Sequence, residues 1–245
     1  MQTTIAKPQT NVVEPVYFAD KYVKALWLKN ADNYYLENRT IVVNLGEEKA
    51  YVAVAPEKYL WPRTSTILQE ISIKSGDSLL LIEIVESKNI GGVVLDSKWR
   101  QLGELMDFPK DVPLWKSPQY DVGIVAFDPY FATGLTDRPH SKRIQKHQVK
   151  VNLWFSPAQT DAAIHNKHTA RDFLEVHTQL YGSGRMQKFH SNNFDTLYED
   201  VLMNPGNSHL PFASVDESGG FIYPWHQYYA DTDCIWMANE FHPID

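Results

Sequence analysis

The sequence predicts an all-β protein, and three observations carry that expectation. Short runs rich in β-branched, leucine and aromatic residues recur along the 245 residues. Gly, Asn, Asp or Pro ends these runs, and helical spacing is confined to two stretches. Many short strands separated by turn residues suit a sandwich or a barrel.

In chain order, residues 18–28 (FADKYVKALWL) are the first helical candidate. TIVVNLG (40–46), AYVAVA (50–55), SLLLIEIVE (78–86) and GGVVLD (91–96) read as strands. Residues 96–108 place Trp99, Leu102, Leu105 and Met106 at near-helical spacing, the second helical candidate. YDVGIVAFDP (120–129) and KVNLWFSP (150–157) resume the strand pattern. FLEVHTQLYG (173–182), GRMQKFH (184–190), TLYEDVLMNPG (196–206), FIYPWHQYYA (221–230) and DCIWMANEF (233–241) continue it. PHSKRIQKHQ (139–148) is the linker candidate, because no histidine precedes His140 and all nine follow from there. The expected division is a strand-rich region over 1–145 and a metal-binding barrel over 146–245. A duplicated architecture with a degenerate first half fits this pattern, and so does one β-domain with a long N-terminal extension.

Composition narrows the function classes. A formal net charge of −7 gives no basic face for nucleic acid or an anionic membrane. Cys234 is the single cysteine, so no intramolecular disulfide and no thiolate cluster can form. It lies in an apolar run and is expected to be a buried, inert thiol. The N-terminal stretch has no apolar signal core and no run reaches membrane-spanning length, so a soluble, cytoplasmic protein is expected. Seven Trp and thirteen Tyr supply both core and pocket lining.

Residues 165–184 (HNKHTARDFLEVHTQLYGSG) hold three histidines within thirteen positions. As a strand, 173–182 sends Glu175, His177 and Gln179 to one face and Leu174, Val176, Thr178 and Leu180 to the other. Same-face neighbours lie ~7 Å apart, which lets a glutamate and a histidine converge on one ion. His165 or His168 would join them from a partner strand, although HxxH spacing puts both on one side only through a bulge. Further on, His209 follows the Pro205-Gly206 turn, and His226 sits in an aromatic run with Trp225, Tyr228 and Tyr229. Neutral imidazoles with one carboxylate suit Fe(II), Mn(II), Ni(II) or Zn(II).

Over about 150–242 the pattern resembles the cupins, small jelly-roll β-barrels. Their first motif ends in a glutamate separated by six residues from a glycine, as Glu175 is from Gly182. His165 and His168 fall where that motif has its HxH pair, but with HxxH spacing and a longer gap to the glutamate. Gly206, Asn207, Ser208 and His209 match the glycine-to-histidine step of the second motif, with Ala213 where an asparagine is usual. The resemblance implies a divalent metal, Fe(II) favoured, held by residues from the set His165, His168, Glu175, His177 and His209. It implies His226 as an acid/base group or rival ligand, and Gln179 as a residue orienting substrate or a bound water. It also implies a homodimer acting on a small organic molecule, with an iron oxygenase preferred. A redox-neutral isomerase, epimerase or lyase and a non-catalytic binding protein are the alternatives. His140, His147, His190 and His242 are expected to be ordinary surface or core histidines.

Overall fold

The structure is a computed structural model, and it describes residues 9–134, 144–167, 173–217 and 220–244. Strands dominate these residues. The first seven are β1 (Val12–Ala19), β2 (Val23–Leu36), β3 (Thr40–Asn44), β4 (Ala50–Val52), β5 (Lys58–Leu60), β6 (Ser65–Leu68) and β7 (Ile71–Ile84). They form one sheet in the order β1-β2-β7-β3-β6, with β4 on β7 and β5 on β4.

The remaining strands are β8 (Arg100–Gln101), β9 (Trp115–Lys116), β10 (Tyr120–Phe127), β11 (Gln145–Ser156), β12 (Thr160–Asp161), β13 (Leu174–Tyr181), β14 (Gly184–Phe189), β15 (Leu197–Met203), β16 (Ser214–Val215), β17 (Phe221–Ile222), β18 (Trp225–Ala230) and β19 (Cys234–Ile244). A second sheet runs β13-β19-β11-β9-β8, with β10 also on β11. A third runs β12-β18-β14-β15, and β16 and β17 form a hairpin. Residue 145 opens β11, and the strands at 100–127 before it already belong to the second sheet.

The all-β expectation holds, and both long helices give way. Residues 18–28 are the end of β1, a turn closed by the Tyr22 N–H on the Ala19 carbonyl, and the start of β2. Val23 and Ala25 are buried while Lys24 is exposed, a two-residue repeat fixed by pairing along β7. Of residues 96–108, only Leu102–Leu105 is helical (α1), a single turn without a side-chain cap. Arg100 and Gln101 instead pair with Lys116 and Trp115, and Trp99 donates its indole N–H to the Phe18 carbonyl. GGVVLD is a 3-10 turn over Ile90–Leu95 rather than a strand. Gly92 packs on Tyr22 so closely that a Cβ would lie 2.1 Å from its hydroxyl oxygen. The run at 221–230 is split by Pro224 into β17 and β18, because proline has no N–H for a ladder. Among the described residues no helix is long and apolar enough to cross a membrane.

The second sheet is covered on both faces. One face carries Val149, Val151, Leu153, Leu174, Leu180, Ile235, Met237 and Phe241 into a large core shared with Val23, Ala25, Ile41, Val43, Leu80 and Ile82 of the first sheet. The other face joins Trp236 and Cys234 to Met186, Tyr228 and Ala230 of the third sheet, closing a barrel. Cys234 is a buried free thiol, as expected. A chain of hydroxyls ties the halves together. Ser65 Oγ donates to the Gly206 carbonyl and meets Ser208 Oγ, which meets Thr178 Oγ1, which accepts from Asn239.

His147 is a core histidine. Its ring stacks on Phe127 at 4.0 Å, and Nδ1 donates to the Gln145 carbonyl. Burial first, and then the nearby Arg63 charge, push its pKa down to about 4. The folded chain therefore refuses a proton that the unfolded chain accepts below its ordinary value near 6.5. The stabilising effect is complete above that value and drains away as pH falls toward 4. His147→Gln is expected to flatten the acid limb of stability by up to about 1.4 kcal/mol per pH unit, read by denaturant unfolding across this range.

Candidate site inside the C-terminal barrel

The space between the second and third sheets collects the polar side chains that the sequence singles out. β13 is buried along most of its length. Its two-residue repeat sends Leu174 and Leu180 to the large core, and Glu175, His177 and Gln179 into the barrel. Tyr228 and Trp236 stack at 3.8 Å and stand 6.3 and 6.5 Å from the His177 ring.

Glu175 and His177 meet as the strand geometry suggests. Glu175 Oε1 lies 3.2 Å from His177 Nε2. His177 Nδ1 is buried and takes no hydrogen bond from any described group. The His209 ring stands perpendicular to that of His177 at 5.3 Å, with both nitrogens engaged. Nδ1 donates to the Leu210 carbonyl, which fixes the tautomer, and Nε2 accepts the main-chain N–H of His177 at 2.9 Å. Burial, then the His177 ring, push the His209 pKa down to about 3, so the ring stays neutral and keeps this lone pair.

His165 lies elsewhere on the wall. It forms an antiparallel bridge with His226, with main-chain bonds both ways and rings 4.3 Å apart. Each donates its Nδ1–H to a carbonyl, of Ala163 and Pro224 respectively. The Phe212 ring stands between the two histidine pairs, 5.1 Å from both His226 and His209. His168 lies outside the described residues. Gln179 spends its amide on the wall: Nε2 donates to the Tyr181 and Gly182 carbonyls, and Oε1 accepts from the Tyr228 hydroxyl. The role of orienting substrate does not fit a side chain so engaged.

Two further residues join the inner face. Glu240 lies opposite Glu175 in the β13–β19 register and is buried. It accepts from Gln119 Nε2 and Asn152 Nδ2, each at 2.7 Å, and meets His242 Nε2 at 2.7 Å. Like charges opposed across a ladder repel, and these donors offset that. His242, expected to be an ordinary surface or core histidine, is a part-buried one bonded to Glu240. The signal was in the sequence: Glu-x-His occurs at 175–177 and again at 240–242, each pair on one strand face.

These positions decide the fit of a metal. Among the described residues no group of three or more His, Cys, Asp or Glu side chains is arranged to hold one. His209 has no lone pair to give, Glu175 and His177 face each other, and His165 pairs directly with His226, whose ring packs on Phe212. Of the expected set His165, His168, Glu175, His177 and His209, the four described members do not converge, because His209 serves the backbone and His165 belongs to a different strand pairing; His168 lies outside the described residues.

No family model matches the chain, and no curated protein matches it. Solved structures similar to it include GK1651 from Geobacillus kaustophilus, at 13% identity and TM-score 0.32, covering 95% of this chain and 88% of that one. A cupin 2 conserved barrel domain protein from Leptotrichia buccalis aligns at 14% identity and TM-score 0.27, covering 96% and 91%. A point mutant of Bacillus subtilis oxalate decarboxylase aligns at 9% identity and TM-score 0.29, covering 97% and 75%. Cupin barrel proteins are thus among its structural neighbours. The site itself rests on the contacts described above.

The Pro205-Gly206 turn brings His209 to the barrel. Gly206 has φ +86°, and a Cβ there would lie 2.6 Å from Ile67 Cγ1. Its N–H donates to the Gln179 carbonyl, and Gln179 N–H returns a bond to Asn207. Gly206→Ala is expected to destabilise the chain by about 2 kcal/mol, from the left-handed backbone and the contact with Ile67, read as a lowered thermal midpoint.

Proposed function

We propose that the chain is a redox-neutral enzyme that moves a proton on a small organic molecule inside the C-terminal barrel. His177 is the general base and Glu175 holds its imidazole. One observation carries this reading: Nε2 of His177 lies 3.2 Å from the Glu175 carboxylate, while Nδ1 of the same ring is buried with no described group bonded to it. A carboxylate at ion-pair distance from one nitrogen favours the proton there and leaves the other nitrogen as a base.

The step balances without a co-reactant. A C–H bond next to a carbonyl breaks, its proton goes to His177 Nδ1, and the electron pair moves onto the carbonyl oxygen. Glu175 stabilises the imidazolium that forms. Return of the proton to another carbon or face gives an isomerase or epimerase; loss of a neighbouring leaving group gives a lyase. The Tyr228 and Trp236 rings supply apolar wall for such a substrate. Iron-dependent oxygenation draws less support, since its ligand set would need His209 to release the His177 amide.

The test follows deuterium uptake from heavy water into a panel of small carbonyl compounds bearing an adjacent C–H, with chelator-treated protein. His177→Gln is expected to lower the rate at least ~100-fold, and Glu175→Gln ~10-fold or more, with KM little changed. Activity that vanishes on chelation and returns with a divalent ion would contradict the proposal, as would full activity in His177→Gln.

A further inference from the structure

We infer that His209 is a positioning residue for the strand that carries His177, and that it is not a metal ligand. What it positions for rests on the proton-transfer reading; its bond to the backbone does not.

β13 is the edge of the second sheet, with β19 on one side only. An edge strand leaves outward N–H groups that need acceptors when buried. Residues 206–209 lie along that edge and supply them in turn. Gly206 N–H reaches the Gln179 carbonyl, Gln179 N–H reaches the Asn207 carbonyl, and Thr178 and Ser208 form a bridge. His209 N–H then reaches the His177 carbonyl at 3.3 Å. There the ladder ends. The chain departs through Leu210 and Pro211, and among the described residues no main-chain carbonyl meets the N–H of His177. The His209 side chain takes that place, its Nε2 accepting the N–H at 2.9 Å.

The ring is held for the task from its other side as well. Nδ1 donates to the Leu210 carbonyl at 2.9 Å, and the Phe212 ring lies 5.1 Å away. The tautomer is set by the carbonyl and the amide together, since a carbonyl only accepts and an amide N–H only donates. With its amide pinned, His177 keeps the backbone placement from which its ring meets Glu175. A metal drawing on His209 Nε2 would take the same lone pair and leave a buried amide without an acceptor.

The experiment compares the full chain with His209→Gln, whose side-chain oxygen still accepts, and His209→Leu, which cannot. Two quantities are read: hydrogen exchange at the His177 backbone amide, and affinity for added Zn(II). The expected result is protection in the native chain and in His209→Gln, exchange at least tenfold faster in His209→Leu, and Zn(II) affinity within twofold in all three. A protected amide in His209→Leu, or a tenfold loss of Zn(II) affinity in either variant, overturns the inference. If His209→Leu does not fold, His209→Gln decides: unchanged affinity with the amide protected supports the assignment, and lost affinity or lost protection overturns it. An inactive role for His177 would sink the proton-transfer reading and leave this assignment standing. A failed amide or Zn(II) result would sink the assignment and leave the Glu175–His177 pair standing.

Discussion

Everything in the C-terminal barrel depends on the two-residue repeat of β13 being claimed on both faces. Leu174 and Leu180 are locked into the core shared with the first sheet. A slip of one residue would exchange them with Glu175, His177 and Gln179 and bury two ionisable groups in hydrocarbon. The apolar half of the strand therefore sets where the polar half points. The outer edge is fixed as firmly, by the 206–209 segment and the His209 ring.

The polar groups brought together this way are each stabilised by a specific partner. Glu240 gathers Gln119, Asn152 and His242; Gln179 gathers Tyr228 and two carbonyls; His209 gathers an amide and a carbonyl. Buried polar groups generally find such partners. His177 departs from this pattern at Nδ1, as Asn152 and Asn239 do at their side-chain oxygens, and Nδ1, the basic atom of the three, is where the chemistry is assigned. The first sheet has no comparable arrangement among its described residues: the interior it forms with Leu28, Val42, Ile73, Leu79 and Leu81 is apolar.

Much of this was legible in the sequence, and the failures have physical causes. Alternation along 173–182 gave the correct faces because a half-polar strand has one arrangement that buries its leucines. Residues 18–28 misled because Val23, Ala25 and Trp27 fit a two-residue repeat as well as their neighbours fit a helical one, and pairing with β7 decided. The short α1 cannot extend back through Arg100 and Gln101, which pair with Lys116 and Trp115, and it ends where Met106 turns to extended backbone. His209 was read as a ligand from its place after a Pro-Gly turn. Nothing local shows that β13 is an edge strand in need of an acceptor. The His165–His226 bridge joins residues far apart in the chain, beyond the reach of spacing arguments. Glu240 and His242 repeat the Glu-x-His spacing of Glu175 and His177, a signal within reach.

The most direct measurement is the tautomer of the His177 ring, read from its two nitrogen chemical shifts in protein labelled with nitrogen-15 at histidine, at a pH where free imidazole is neutral. The expected spectrum has the proton on Nε2, toward Glu175, and a bare Nδ1. A proton on Nδ1 would leave the ring's lone pair turned toward the Glu175 carboxylate, and would contradict the role assigned to this pair.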